Sequence, residues 1–116
     1  MAESERVKKL NALIQEQLSG IIQKEIELPR GVLLTITKVE TYKDLTGCKV
    51  FISVFPQEKT ERVLKILSSQ TYHLHQLLNK KLFIRKVPKL QFIQAREEES
   101  AQHLDRLLDE VERGQY

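Results

Sequence analysis

The 116-residue sequence contains one cysteine, no tryptophan and no long hydrophobic run. Because Cys48 has no second cysteine to pair with, an intrachain disulfide is excluded and a reducing, cytosolic setting is expected. A membrane-spanning helix needs roughly 18 or more apolar residues in succession, and no stretch approaches that length. The opening residues MAESERVKKL carry acids where a secretion signal carries cations and then apolar residues, so neither export nor a membrane partner is expected.

Motifs that carry catalysis or bind metals are also missing. The four glycines are scattered along the chain, which excludes a glycine-rich phosphate loop. His73 and His75 lie two residues apart in a predicted helix, so their side chains diverge instead of converging on a metal ion. We therefore expect no catalytic residue, no metal and no cofactor. Cys48 is predicted to be a small buried residue of a strand.

The first half of the sequence predicts a helix followed by two strands. Apolar residues recur at three- and four-residue spacing from Glu3 to about Glu27, with Ser4 as the N-terminal cap, and the tetrapeptide LPRG ends the helix. The stretches VLLTITKVET and CKVFISVFP then alternate apolar and polar positions, with Leu34, Ile36 and Val39 assigned to one side of the first strand. The short polar connection KDLTG favours an antiparallel hairpin.

The second half predicts two helices, a third strand and a final helix. Helical spacing resumes over residues 58–67, Ser68 and Ser69 interrupt it, and a second helix follows over about residues 70–81. Residues 82–94 contain the third strand, whose proline favours an edge position, and residues 97–113 form an appended amphipathic helix. The whole chain, residues 1–116, is thus predicted to be one α+β domain with three strands on one side and helices on the other.

Charge is distributed unevenly along the chain, whose net charge is +3. Residues 59–90, called here the basic block, hold eight cations and one acid, whereas residues 91–116 hold seven acids and three cations. One interpretation of the basic block is a solvated helix face beside an edge strand. The lysines of that strand would then prevent the sheet edge from pairing with another chain. The other is a phosphate-binding surface for a nucleic acid. Only Tyr72 and Phe83 in this block are suited to stacking on a base, which favours recognition of RNA backbone and shape.

The stretches TITKVETYKDLTGCKVFISVF and LFIRKVPKLQF resemble the ribosome-binding factor A family, over about Arg6 to Phe92. The matching positions are Val39, Asp44-Leu45, Lys49-Val50, Arg85, Val87-Pro88, Leu90 and Phe92. The resemblance implies a KH-like domain of type II order in which a helix-kink-helix replaces the Gly-x-x-Gly loop. It also implies binding of small-subunit rRNA in the neck region during late maturation, with roles in ribosome biogenesis, rRNA processing and growth in the cold.

The chain departs from the family pattern at several positions. The kink falls on Gln70-Thr71-Tyr72, which has neither the alanine nor the glycine of the family's Ala-x-Gly. His75 stands where an arginine is common, Lys89 replaces an acid, and Ala95 replaces another acid. The resemblance therefore leaves the shape of the kink and its contact with RNA open.

These observations predict a non-enzymatic, monomeric cytoplasmic factor that binds the small ribosomal subunit and its rRNA. Two alternatives remain: a KH-like module for another structured RNA, and an adaptor that docks a protein through the acidic helix 97–113. The predicted RNA-binding residues are Arg62, Lys65, Gln70, Thr71, Tyr72, His75, Lys80, Lys81, Arg85, Lys86, Lys89, Arg6, Lys8 and Lys9.

Overall fold

The computed structural model describes residues 4–96 and confirms the predicted order of elements over that range. The predicted helix 97–113 lies outside the described residues. The elements are α1 (Glu5–Glu25), β1 (Leu33–Thr41), β2 (Gly47–Phe55), a 3-10 turn (Gln57–Lys59), α2 (Thr60–Ser69), α3 (Thr71–Lys81) and β3 (Lys89–Gln94).

Helix α1 begins and ends close to the positions that the sequence predicts. The Ser4 hydroxyl oxygen accepts a hydrogen bond from the Val7 backbone N–H at 3.2 Å, which confirms the predicted cap. The helix ends at Glu25, two residues before the predicted boundary, because the backbone is already extended at Ile26. A turn closed by the Val32 N–H and the Pro29 carbonyl (3.2 Å) then leads into β1, and Gly31 adopts a φ of +79° within it.

The sheet has the order β1-β2-β3, with β1 antiparallel and β3 parallel to the central strand β2. The predicted hairpin is therefore confirmed. A bulge in β1 pairs Ile36 with Ile52 and Lys38 with Phe51, so that one extra residue, Thr37, sits between them. Because this residue resets the alternation of side chains, Val39 points into the core together with Ile36 although three positions separate them.

The helices cover one face of the sheet, as predicted. Helix α1 packs on β1, α2 packs on β2 and β3, and α3 packs on α1 and β3. The opposite face, which residues 4–96 leave uncovered by any helix, is called here the open face. The residues of the core that are fully buried at 0% exposure are Ile14, Leu18, Val50, Ile52, Val63, Leu67, Leu74 and Leu78.

The structure narrows one predicted boundary and corrects another. The third strand occupies only Lys89–Gln94, because residues 82–88 cross from the end of α3 to the sheet before pairing begins. The interruption expected at Ser68 and Ser69 is wrong by one residue: α2 includes both serines, and the Ser69 hydroxyl donates to the Ile66 carbonyl at 2.8 Å within the helix. The break falls on Gln70 alone.

No helix within residues 4–96 is long and apolar enough to cross a membrane.

Candidate nucleic-acid interface

One end of the domain brings together the start of α1, the β1–β2 turn and the start of β3. The Asn11 side-chain oxygen accepts hydrogen bonds from the Thr41 N–H (3.0 Å) and the Thr41 hydroxyl (2.5 Å), which joins α1 to the end of β1. The Lys89 N–H donates to the Thr46 carbonyl at 3.1 Å, so the first residue of β3 adjoins the turn. Residues far apart in the sequence therefore share this end of the molecule.

The loop from α3 to β3, residues 82–88, presents side chains to solvent from an anchored backbone. Leu82 and Val87 are buried, whereas Phe83 is fully exposed. The His75 Nε2–H donates to the Val87 carbonyl at 2.9 Å and ties the loop to the middle of α3. A carbonyl only accepts, so this bond assigns the proton to Nε2. The bond engages one of the two ring nitrogens of His75 with the protein itself.

Five exposed cations meet at this end and are called here the basic end. Two lie in the last turn of α3, where the helix dipole favours positive charge. Two lie in the loop, and one begins β3. Within residues 4–96, none of the five forms an ion pair. The basic end consists of Lys80, Lys81, Arg85, Lys86 and Lys89.

Three further predicted cations lie near the start of α1. Arg6, Lys8 and Lys9 are exposed and precede Asn11, so they extend from the same end of the domain. Lys8 also lies 3.8 Å from the Glu5 carboxylate, an exposed pair that weakens its attraction for phosphate. The structure therefore places eight of the predicted site residues at one end.

The helix-kink-helix places the remaining predicted residues elsewhere, except His75, whose ring contacts the loop that carries Arg85 and Lys86. The His73 ring lies 3.6 Å from the carboxylate of Glu25, so the kink adjoins the far end of α1. From Tyr72 to Lys80 the helix rises by about 12 Å, at 1.5 Å per residue. Arg62 and Lys65 are exposed on α2, before the kink. The predicted residues thus form two groups and not one continuous patch.

The kink is stabilised by hydrogen bonds within the chain. The Gln70 N–H donates to the Leu67 carbonyl at 3.1 Å, and the Thr71 hydroxyl donates to the same carbonyl at 3.0 Å. Tyr72 is 76% exposed, and its hydroxyl oxygen accepts a hydrogen bond from the Gln76 amide at 2.6 Å. The Tyr72 ring is therefore available to a ligand, whereas the Thr71 hydroxyl donates across the kink to the Leu67 carbonyl of α2.

Tyr42 is a candidate site residue that the sequence analysis missed. It lines a recess of about 410 Å³ together with Thr46, Lys86, Lys89 and Gln91. The available sequence signal was an aromatic residue directly before the turn, outside the basic block. Its position beside two cations depends on the parallel pairing of β2 with β3, which the sequence pattern did not predict.

The electrostatic balance of the described region favours anionic partners. Residues 4–96 contain seventeen lysines and arginines against eight acids, which gives +9. Asp44, in the β1–β2 turn, is one of the few acids near the basic end. The Thr46 hydroxyl and backbone N–H donate to its carboxylate and lower the pKa of Asp44 from its ordinary value of 3.8. Asp44 thus remains charged while it holds the turn.

The single thiol of the protein lies in the core. Burial raises the pKa of the Cys48 thiol to about 11, so the thiol is protonated near neutral pH, and its 1% exposure confirms the predicted buried strand residue. No group of three or more metal-ligating side chains comes together between residues 4 and 96. What this region offers is a set of exposed cations with a few exposed aromatic rings.

The fold and this surface define a small α+β domain of the KH-like kind with a basic end. The sequence profile described as Ribosome-binding factor A matches residues 6–108. The chain belongs to the ribosome-binding factor A family.

Relatives and solved structures agree with this assignment. Ribosome-binding factor A of Pseudomonas paraeruginosa is 40% identical over 90 residues, which cover 75% of this chain and 70% of the relative. That of Chlorobaculum parvum is 35% identical over 113 residues, covering 94% and 92%. The crystal structure of ribosome-binding factor A from Thermus thermophilus is similar with a TM-score of 0.68 and 31% identity, covering 76% of this chain and 93% of the other.

A further similar structure is described together with a ribosomal subunit. It is a homology model of the Thermus thermophilus ribosome binding factor A, fitted into a cryo-EM map of a 30S complex of that factor. It has a TM-score of 0.57 and 25% identity to this chain, and the match covers 79% of this chain and 93% of the other.

Proposed function

We propose that this protein is a ribosome assembly factor that binds small-subunit rRNA during late maturation of the small ribosomal subunit in the cytoplasm. The observation that carries the proposal is the basic end, five exposed cations without an ion pair within residues 4–96. Family membership supports the choice of partner, because a relative is described in a 30S complex.

The basic end suits phosphate binding because its cations are both exposed and held on ordered elements. Lysines 80 and 81 extend from the last turn of α3, and Lys89 begins a paired strand. Cations that contact phosphates release condensed counterions, which supplies affinity without base specificity. The cations near the start of α1 extend this surface, and the Tyr72 ring supplies a separate contact at the kink.

The proposed mechanism is differential binding. A factor that only binds shifts an equilibrium between two rRNA conformations by the difference in its affinity for them. We expect this protein to bind immature small subunits more tightly than mature ones and to leave when the subunit is completed or when another factor displaces it. It hydrolyses neither ATP nor GTP in this mechanism.

The test is sedimentation of the protein with purified immature and mature small subunits. The double variant Arg85→Glu/Lys86→Glu reverses two charges of the basic end and should lose binding, because it replaces attraction to phosphate by repulsion. The matched control is Lys24→Glu/Arg30→Glu, which makes the same change in net charge at exposed positions near the far end of α1. The control should sediment with subunits nearly as the unchanged protein does.

Salt dependence separates the electrostatic contacts from the preference between subunits. Affinity should fall as salt rises, and Lys89→Ala should reduce the slope of log affinity against log salt by about 1. Equal loss of binding in both double variants would show that only net charge matters and would reject the basic end as the site. Equal affinity for mature and immature subunits at one ionic strength would reject the mechanism.

The two alternative functions give different results in the same assay. A module for another structured RNA would bind RNA in a salt-dependent way but would not sediment with small subunits. A protein-docking adaptor that uses residues 97–113 would be insensitive to both double variants.

A further inference from the structure

The open face of the sheet carries aromatic rings and cations side by side. The register of the strands arranges them in rows: Lys49 lies between Glu40 and Gln91, and Phe51 lies between Lys38 and Ile93. These residues come from all three strands, so no single stretch of sequence contains them. Their side chains point away from the helices because they alternate with the buried residues.

The Tyr42 ring lies at the end of this face, next to the basic end. A Cβ atom added to Gly47 would lie 3.1 Å from Tyr42 Cε2, which shows that the ring rests directly on this glycine. Tyr42 nevertheless remains 43% exposed. The ring is therefore held in place by the strand beneath it while part of it stays open to a ligand.

Two neighbouring recesses on this face combine rings with cations. The recess at Tyr42 contains Lys86 and Lys89 and no acid among its lining residues. The second, of about 260 Å³, is lined by Lys38, Glu40, Lys49, Phe51, Ile93 and Arg96. Lys38 forms an ion pair with Glu40 at 2.7 Å, and Lys49 and Arg96 give the second recess a positive balance as well. The cations therefore favour an anionic ligand. The aromatic rings favour a ligand with flat apolar surfaces that can stack on them.

We propose that the open face binds a single-stranded segment of RNA, with one base stacked on Tyr42 and the adjoining phosphate held by Lys86 and Lys89. Single-stranded RNA combines the two features that the face is built to contact, because its bases are unpaired and its backbone is anionic. A duplex hides the faces of its bases and would contact only the cations. The proposal deepens the proposed function and rests on its RNA binding, but it adds the open face, which shares Lys86 and Lys89 with the basic end.

The segment continues from the Tyr42 recess toward Phe51, which lies four positions after Gly47 in β2. At about 3.3 Å per residue, these two points are about 13 Å apart. The Lys38 ammonium lies 5.9 Å from the centre of the Phe51 ring, so a cation already accompanies this second ring. Lys49 and Arg96 provide further contacts for phosphate along the same path.

The experiment measures binding of a fluorescein-labelled oligouridylate of about ten nucleotides, a length within the usual range of such sites. Tyr42→Leu removes the aromatic ring and keeps an apolar side chain. It should weaken binding of the oligouridylate by about five- to a hundred-fold, as loss of one stacked base does. Binding of an RNA duplex of the same length should change little. Unchanged affinity of Tyr42→Leu for the single strand would overturn the proposal.

A second measurement uses the absence of tryptophan from the chain. The variant Tyr42→Trp introduces the only indole, and its fluorescence should be quenched when the oligouridylate binds. The matched control is Leu13→Trp, at a 38% exposed position on α1, the helix that packs against the other face. Equal quenching in both variants, or quenching of Tyr42→Trp by the duplex alone, would contradict a single-strand site on the open face.

The two proposals fail independently. If the unchanged protein binds the oligouridylate through Tyr42 but does not sediment with small subunits, the proposed function is wrong and the open-face site stands. If it sediments with subunits and Tyr42→Leu leaves oligouridylate binding unaltered, the open-face site is wrong and the proposed function stands.

Discussion

The Asn11 side-chain oxygen accepts two hydrogen bonds from Thr41, one from its backbone N–H at 3.0 Å and one from its hydroxyl at 2.5 Å. Both residues are 9% exposed, so water does not readily replace either bond. This buried polar contact joins the start of α1 to the end of β1 and positions the cations of α1 beside the β1–β2 turn.

The first prediction concerns this contact. Asn11→Leu leaves the buried Thr41 N–H without its acceptor, which should lower the free energy of unfolding by about 1–3 kcal/mol. Thr41→Val removes only the hydroxyl bond and should cost about 0.5–1.5 kcal/mol. Urea denaturation of both variants measures the two values. An Asn11→Leu protein as stable as Thr41→Val would show that the backbone bond contributes little.

The second prediction concerns the acid dependence of the β1–β2 turn. The pKa of Asp44 is lowered in the folded protein, chiefly by the Thr46 hydroxyl and then by its N–H. Its contribution to stability is therefore present above the unfolded pKa, near 3.8, and is lost as the pH falls through the lower folded pKa. The midpoint temperature of thermal unfolding should be lower for Asp44→Asn than for the unchanged protein at pH 7. This difference in midpoint should shrink as the pH is lowered.

A matched control separates this effect from general charge removal. Glu16→Gln removes one exposed acid from α1, away from the turn. The stability effect would not come from the Thr46 bonds if the loss of thermal stability in Asp44→Asn stayed constant with pH. The same conclusion would follow if Glu16→Gln showed the same loss.

The third prediction concerns the kink. Tyr72→Ala should reduce affinity for small subunits by about 1–3 kcal/mol if the ring stacks on a base. Gln76→Ala, which removes only the partner of the Tyr72 hydroxyl, should stay near the unchanged value. Thr71→Ala should change RNA affinity very little, because the Thr71 hydroxyl already donates to the Leu67 carbonyl. Sedimentation with competing unchanged protein ranks the three variants by their affinity for small subunits. Full affinity of Tyr72→Ala would show that the ring has no role in RNA binding.

The fourth prediction concerns the single thiol. With a pKa raised to about 11 and 1% exposure, Cys48 should react with a thiol reagent at pH 8 only as fast as the protein opens. The double variant Cys48→Ala/Leu33→Cys moves the thiol to a 40% exposed position and should react rapidly without unfolding. A native Cys48 that reacts as fast as this control would mean that β2 opens readily.

The spacing of apolar residues predicted the helices and strands well, because an element that buries one face must carry apolar residues at the period of that element. The alternation of Val50, Ile52 and Val54 and the helical spacing around Ile14 and Leu18 both follow from one buried face. Boundaries were less predictable where a serine side chain can bond to the backbone either inside or outside a helix. Ser69 stays helical while its hydroxyl bonds to the Ile66 carbonyl, and only the isolated break at Gln70 separates the two helices.

The candidate site was predicted only in part. The cations at the end of α3 and in the following loop were predictable because they are contiguous in sequence. The role of His75 as a tie to Val87 was not, because it depends on how the loop folds back. Tyr42 lies outside the basic block, and only the pairing of β3 with β2 brings Lys86 and Lys89 to it.

The parallel pairing of β2 and β3 has a kinetic consequence. The hairpin of β1 and β2 is local, whereas β3 joins the sheet only after the crossover from Pro56 to Pro88 has closed. Contacts of long sequence separation form late because the entropy of loop closure must be overcome first. We therefore expect β3 to join last during refolding, so that the Tyr42 recess forms only once the domain is complete, while the hairpin turn that Asp44 holds is already present in the earlier, partly folded chain.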